Sequence, residues 1–288
     1  MNQNLKLRIM TALVGIPVIL GLLIGLGVEG VAFFSWVVSM GMLYEFSKMF
    51  FSLPDATTKT ILLLLLNTFI HFVNYWITVG LSSAFLGIAP MFFLSIIFLF
   101  MVPKLLNYGG FEALNSEEGL KKLSKHFNEL MAACFGLVYA CWLPLLMVSI
   151  RQSNQGKYWL IFTMLVVWSS DSFAYFAGKF FGRTLLYETV SPKKTWEGAL
   201  GGSLGALIVS LVFGHYFLSN VSLVELSVMS LTISVASILG DLCESLLKRA
   251  VNVKDSGSIL PGHGGFLDRF DGVVFALPVM YAFLWLLS

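Results

Sequence analysis

Residues 60–103, TILLLLLNTFIHFVNYWITVGLSSAFLGIAPMFFLSIIFLFMVP, contain no Asp, Glu, Lys or Arg. A helix crosses the hydrocarbon core with ~20 apolar residues, so this stretch is long enough for two spans with a break near residues 80–83. Outward from it, 9–28, 130–150 and 198–224 are equally free of charge, and 30–50, 158–178, 224–247 and 272–288 are strongly apolar. The whole chain is 57% hydrophobic and only 12% charged over 288 residues, which excludes an ordinary soluble domain. Backbone placed in lipid has to satisfy its own hydrogen bonds, so these segments are read as α-helices. The expected fold is all-α and polytopic, with about nine spans. It forms one membrane domain over 1–288: residues 1–130 are mainly apolar spans, and 131–288 are spans that carry the polar motifs.

The placement of charge gives an orientation. With an odd number of spans, the N-terminus and the loops after the even-numbered spans share one side. Every Lys and Arg except Arg151 and Lys157 falls on that side. Positive loops stay in the cytoplasm, so the N-terminus is expected inside and the C-terminus outside, with the chain a multi-pass protein of the cell's inner (plasma) membrane. Lys6 and Arg8 precede the first apolar segment as they would in a secretion signal. Its length favours a retained span instead. Cys134, Cys141 and Cys243 lie within spans at no metal-binding spacing. Residues 104–129 carry Leu114, Leu120, Leu123 and Phe127 among charges, the pattern of a short amphipathic helix lying at the cytoplasmic interface. Glu45, His71 and Asn74 are the main polar residues of the first 103, and each is read as a packing or interface residue.

Function is expected from Asp171 onward. Residues 241–271, DLCESLLKRAVNVKDSGSILPGHGGFLDRFD, bring acids, bases and a glycine-rich turn to a membrane edge, where charge is costly. On a helix, Asp241, Glu244, Ser245 and Lys248 form one stripe, and a Glu244–Lys248 pair would stabilise the helix end. Asp241, about two turns deep, calls for a cation or a basic partner, since an ionised Asp there costs ~3 kcal/mol. Gly262, Gly264 and Gly265 allow backbone amides to face an anion, although no Walker lysine follows. Asp268 and Asp271, spaced i, i+3 at a helix start, are compatible with capping, but two carboxylates beside Arg269 and His263 exceed that need. Upstream, Asp171-Ser-Phe-Ala-Tyr175 mirrors the depth of Asp241, and Ser191-Pro-Lys193-Lys194-Thr-Trp-Glu-Gly198 reads either as a basic juxtamembrane loop or as a phosphate grip.

Ser245-x-x-Lys248-Arg249, Lys254-Asp255, Gly257, Leu260-Pro-Gly-His263-Gly264-Gly265 and Asp268-Arg269-x-Asp271 together resemble the signature of the phosphatidate cytidylyltransferase (CDP-diacylglycerol synthase) family of prokaryotic type. Its upstream elements resemble 171–175 and 191–198; residues 1–130 match only as apolar spans. The resemblance implies transfer of a cytidylyl group from CTP to phosphatidate, giving CDP-diacylglycerol and pyrophosphate in phospholipid synthesis, with Mg²⁺ as cofactor and a second cation left open. On that basis Asp241 and Asp268 are expected to hold metal, with Asp271 and Asp171 next. Lys248, Arg249, Lys254, Asp255 and Arg269 are expected around the reacting phosphates, and His263 either there or fixing the glycine loop. Ser191, Lys193, Lys194, Ser245, Gly264 and Gly265 are expected to bind substrate. CTP would enter from the cytoplasm and phosphatidate sideways from the inner leaflet, through a polar funnel at the cytoplasmic face. No nucleic-acid partner is expected, and a homodimer is compatible with the sequence without being demanded by any motif. An ion-coupled transporter using Asp171 and Asp241, and a CTP-dependent lipid kinase, remain the rival readings.

Overall fold

A computed structural model describes residues 10, 13–15, 17–51, 56–80, 116–260, 262 and 264–287. Over these residues the chain is an all-α membrane protein with seven helices long and apolar enough to cross a bilayer. We label them α1 (Gly27–Phe50), α2 (Ala56–Ile77), α3 (Glu117–Gln152), α4 (Gly156–Phe181), α5 (Trp196–Phe217), α6 (Leu223–Ala250) and α7 (Leu267–Leu287). A shorter apolar helix, Leu13–Gly25, precedes α1 where the first span was expected. The second half of the 60–103 stretch lies outside the described residues, as do His263 and residues 104–115.

Packing follows the rule for helices in lipid, where small residues let backbones approach and hydroxyls bond across helices. A Cβ on Gly202 would meet Ser170 O and Ala174 Cβ, which seats α5 closely against α4. Ser234 on α6 joins the same seam, with its hydroxyl 2.8 Å from that of Ser170 and 3.1 Å from that of Ser203. Outward faces are apolar: Leu200, Leu204, Ile208 and Val212 stand exposed along α5, as lipid contact requires.

One expectation is corrected. The described part of the amphipathic segment, from Glu117, is not a separate interfacial helix but the first turns of α3, which continues without a break to Gln152. Nothing in 117–137 breaks a helix, and Ser116 caps it by accepting the Gly119 N–H at 3.1 Å. Lys59 of α2 pairs with Glu129 at 2.5 Å and ties that extension to the bundle. Further along α3, a π-helical turn spans Val138–Trp142, just before Pro144. Pro144 has no N–H to offer Ala140 O, and Ser39 of α1 supplies the missing donor at 2.6 Å.

Between α4 and α5 the chain forms a two-stranded antiparallel hairpin, β1 (Leu185–Tyr187) and β2 (Ser191–Thr195), paired at Leu185–Thr195 and Tyr187–Ser191. The Glu197 carboxylate accepts the Arg183 and Thr184 N–H groups at 3.1 and 3.2 Å, and Thr195 caps α5. These contacts stand the hairpin up at the same end of the bundle as the α6–α7 loop.

Candidate active site

The α6–α7 crossing makes the site. Gly240 lies so close to α7 that a Cβ there would meet Asp271 O and the Phe275 side chain; reciprocally, Gly272 faces Ser237. These small residues draw the two helices together where each carries an acid. Side-chain ligand atoms of Asp241, Glu244 and Asp271 consequently lie within 4.8 Å of one another. Glu244 is 1% exposed, and its Oε1 has no hydrogen-bond partner among the described residues. A buried carboxylate oxygen without a partner beside two more carboxylates fits a hard cation, which takes oxygen ligands and accepts a few carboxylates plus water and phosphate.

Two lysines pair with the acids, Lys194 with Asp241 and Lys248 with Glu244. Lys194 on β2 reaches Asp241 at 2.6 Å, so the hairpin lies over the cluster. Ser245 lies 3.4 Å from the other Asp241 oxygen. Asp171, one helix away on α4, is within electrostatic range of Asp241, Lys194 and Arg269. Arg249 points toward the hairpin, with its Nε 3.5 Å from Val190 O. Lys193, Lys254 and Asp255 are exposed, while Ser191 is half-buried on β2.

Asp268 occupies a different place from the three converging acids. Its Oδ1 pairs with Lys248 at 2.7 Å, and its Oδ2 accepts the Gly265 N–H at 3.1 Å and the Ser256 hydroxyl at 2.9 Å. Lys248 also pairs with Glu244 at 2.6 Å, as the helical spacing predicted. Lys248 thus bridges the cluster to the loop. Gly264 adopts φ +85, open to glycine, and its carbonyl accepts the Leu260 N–H at 2.9 Å. Glycines 264 and 265 accordingly belong to a tight turn held by Asp268.

Two residues emerge that sequence reasoning placed elsewhere. Glu244 joins Asp241 and Asp271, although it was read only as a partner of Lys248. Its i, i+3 spacing from Asp241 carried the signal, but only the α6–α7 crossing shows which acid of α7 meets them. Glu45 of α1 reaches the signature loop: its Oε2 accepts the Leu267 N–H at 3.0 Å and the Ser256 hydroxyl at 3.1 Å. No local pattern around Glu45 marks that long-range contact.

Residues 6–287 match the model of the Cytidylyltransferase family. The chain belongs to that family. Among curated proteins it is similar to the phosphatidate cytidylyltransferase of Bacillus subtilis (strain 168), with 44% identity over 142 residues, covering 49% of this chain and 53% of the relative. It is also similar to the phosphatidate cytidylyltransferase of Staphylococcus saprophyticus, with 41% identity over 159 residues, covering 55% and 61%. The phosphatidate cytidylyltransferase of Staphylococcus haemolyticus is 39% identical over the same extent. The matched stretches thus span a little over half the length of these relatives.

Proposed function

We propose that this cytidylyltransferase-family protein transfers the cytidylyl group of CTP to phosphatidate, releasing pyrophosphate and leaving CDP-diacylglycerol in the membrane. The observation that carries the reading is the meeting of Asp241, Glu244 and Asp271 beneath Lys194 at one end of a lipid-facing bundle. That arrangement suits a polyanionic nucleotide arriving from water and an anionic lipid arriving from the side. The names of the relatives favour the same pair of substrates.

The phosphate monoester of phosphatidate has a second pKa of about 6 and is already a nucleophile near neutral pH, so no strong base is required. One of its oxygens bonds to the α-phosphorus of CTP, the α–β phosphoanhydride bond breaks, and pyrophosphate leaves with the electron pair. The barrier is largely repulsion between anions, and positioning with charge neutralisation lowers it. Asp241, Glu244 and Asp271 would hold Mg²⁺, which when bound would neutralise phosphate oxygens and polarise the reacting phosphorus. Lys194 neutralises Asp241 in the free protein and is placed to turn to a phosphate when nucleotide arrives; Lys193, Arg249, Lys254 and Arg269 add positive charge around it. Asp268 serves the reaction by holding Lys248 and the glycine turn rather than by joining the three acids. Asp171 sets the electrostatic balance on the α4 side. The hairpin and the α6–α7 loop face the cytoplasm, with the C-terminus opposite, because the basic residues concentrate at that end.

The test is an assay of detergent-purified protein with CTP, Mg²⁺ and phosphatidate. One pyrophosphate per CDP-diacylglycerol formed supports cytidylyl transfer. CDP with a newly phosphorylated lipid would assign a kinase instead, and solute uptake by vesicles without nucleotide turnover would assign a transporter.

A further inference from the structure

Glu45 lies on α1, far in sequence from every signature residue, yet it is 1% exposed and ends in the signature loop. Burying a carboxylate in a membrane protein is expensive unless hydrogen bonds compensate. Its Oε2 accepts the backbone N–H of Leu267, the first residue of α7, where the helix dipole favours a negative group. It also lies 3.1 Å from the Ser256 hydroxyl, whose single proton it shares with Asp268 at 2.9 Å. Side chains at Gly257 or Gly265 would run into the Glu45 carboxylate, so the loop closes around it backbone first. One turn earlier on the same face of α1, Gly41 leaves room for the Phe266 ring, which a Cβ there would meet at 2.5 Å.

A continuous polar path follows: Glu45 to Ser256 at 3.1 Å, Ser256 to Asp268 at 2.9 Å, Asp268 to Lys248 at 2.7 Å, and Lys248 to Glu244 at 2.6 Å. It starts on α1 and finishes on an acid of the candidate cation cluster. We propose that Glu45 is a positioning residue of the active site: it sets the seat of the 256–268 loop against α1 and, through Ser256, Asp268 and Lys248, the orientation of Glu244. This inference rests on the function proposed above only where it speaks of turnover. Among the described residues, the hydrogen bonds of Glu45 run to Ser256 and to the Leu267 N–H rather than to the three acids of the cation cluster.

Wild type, Glu45→Ala, Glu45→Gln and Ser256→Ala are compared by amide hydrogen exchange and by initial rates with CTP and phosphatidate. Glu45→Ala should speed exchange within 256–268 by about tenfold or more while α4 and α5 stay protected. Its KM for CTP should rise by about tenfold, whereas simple loss of folded protein would lower Vmax with KM unchanged. Glu45→Gln keeps an acceptor for the Leu267 N–H and should stay within about threefold of wild type in KM. Ser256→Ala, which spares α1, should loosen the same loop and keeps the test alive if Glu45→Ala fails to fold. Unchanged exchange in 256–268 for both Glu45→Ala and Ser256→Ala, or exchange rising equally in α4 and α5, overturns the proposal. A wild-type protein that releases no pyrophosphate sinks the proposed reaction, while the exchange measurement still decides the role of Glu45.

Discussion

Lys248 shows how much a single side chain can hold in a protein this poor in charge. Its side chain is 13% exposed and pairs with two acids, the buried Glu244 and Asp268, whose side chain is 15% exposed. Removing one member of such a network leaves buried charge uncompensated, which costs about 3–5 kcal/mol. Lys248→Met should therefore lower the detergent melting temperature clearly and abolish turnover, whereas Arg249→Met, exposed at the helix end, should leave the melting temperature nearly unchanged. Thermal unfolding followed by circular dichroism separates the two. Much of the site at this scale was legible in the sequence, because charge at a membrane edge stands out against apolar neighbours. Asp241, Lys248, Asp271 and Lys194 stand out that way, and the structure brings them together at the α6–α7 crossing. The different surroundings of Asp268 and Asp271 were not legible, since both stand at the start of the same apolar run. Only the direction each takes at the start of α7 separates Asp268, bonded to the loop, from Asp271, which faces α6. Glu45 was illegible for another reason, because its partners lie more than two hundred residues away.

At the scale of elements, the α6–α7 crossing decides whether three acids become one site. Gly240 lies at that crossing, where a Cβ would meet Asp271 O at 2.5 Å. Gly240→Val would force the helices apart, an overpacking change of about 1–3 kcal/mol. Turnover should fall far more than stability does, and the α4–α5 seam should keep its hydrogen-exchange protection. Equal loss of protection in α4–α5 would mean that the crossing supports the fold at large rather than the site. Long uncharged runs announced the helices clearly, and all seven spans of the described residues fall where such runs were read. The β1–β2 hairpin was read only as a loop, since three- and five-residue strands carry too few alternations to stand out. The start of α3 was misjudged because its amphipathic turns look interfacial by composition, yet they continue a span.

For the molecule as a whole, orientation and chemistry are one question, because the proposed use of cytoplasmic CTP requires the site to open on the side that holds the basic loops. On a background with Cys134, Cys141 and Cys243 replaced by alanine, Lys193→Cys should react with a membrane-impermeant thiol reagent only from the cytoplasmic side. Lys157→Cys should react only from the opposite side. Reversed labelling would invert the topology and leave CTP no access. Acids from two helices are proposed to converge on one cation, and titration of purified protein with Mn²⁺, followed by electron paramagnetic resonance, reads that cation site itself. A saturable site is expected that Asp241→Asn and Asp271→Asn each weaken by about tenfold or more, with Asp171→Asn much less affected. Mn²⁺ binding that is indifferent to Asp241 and Asp271 would contradict it.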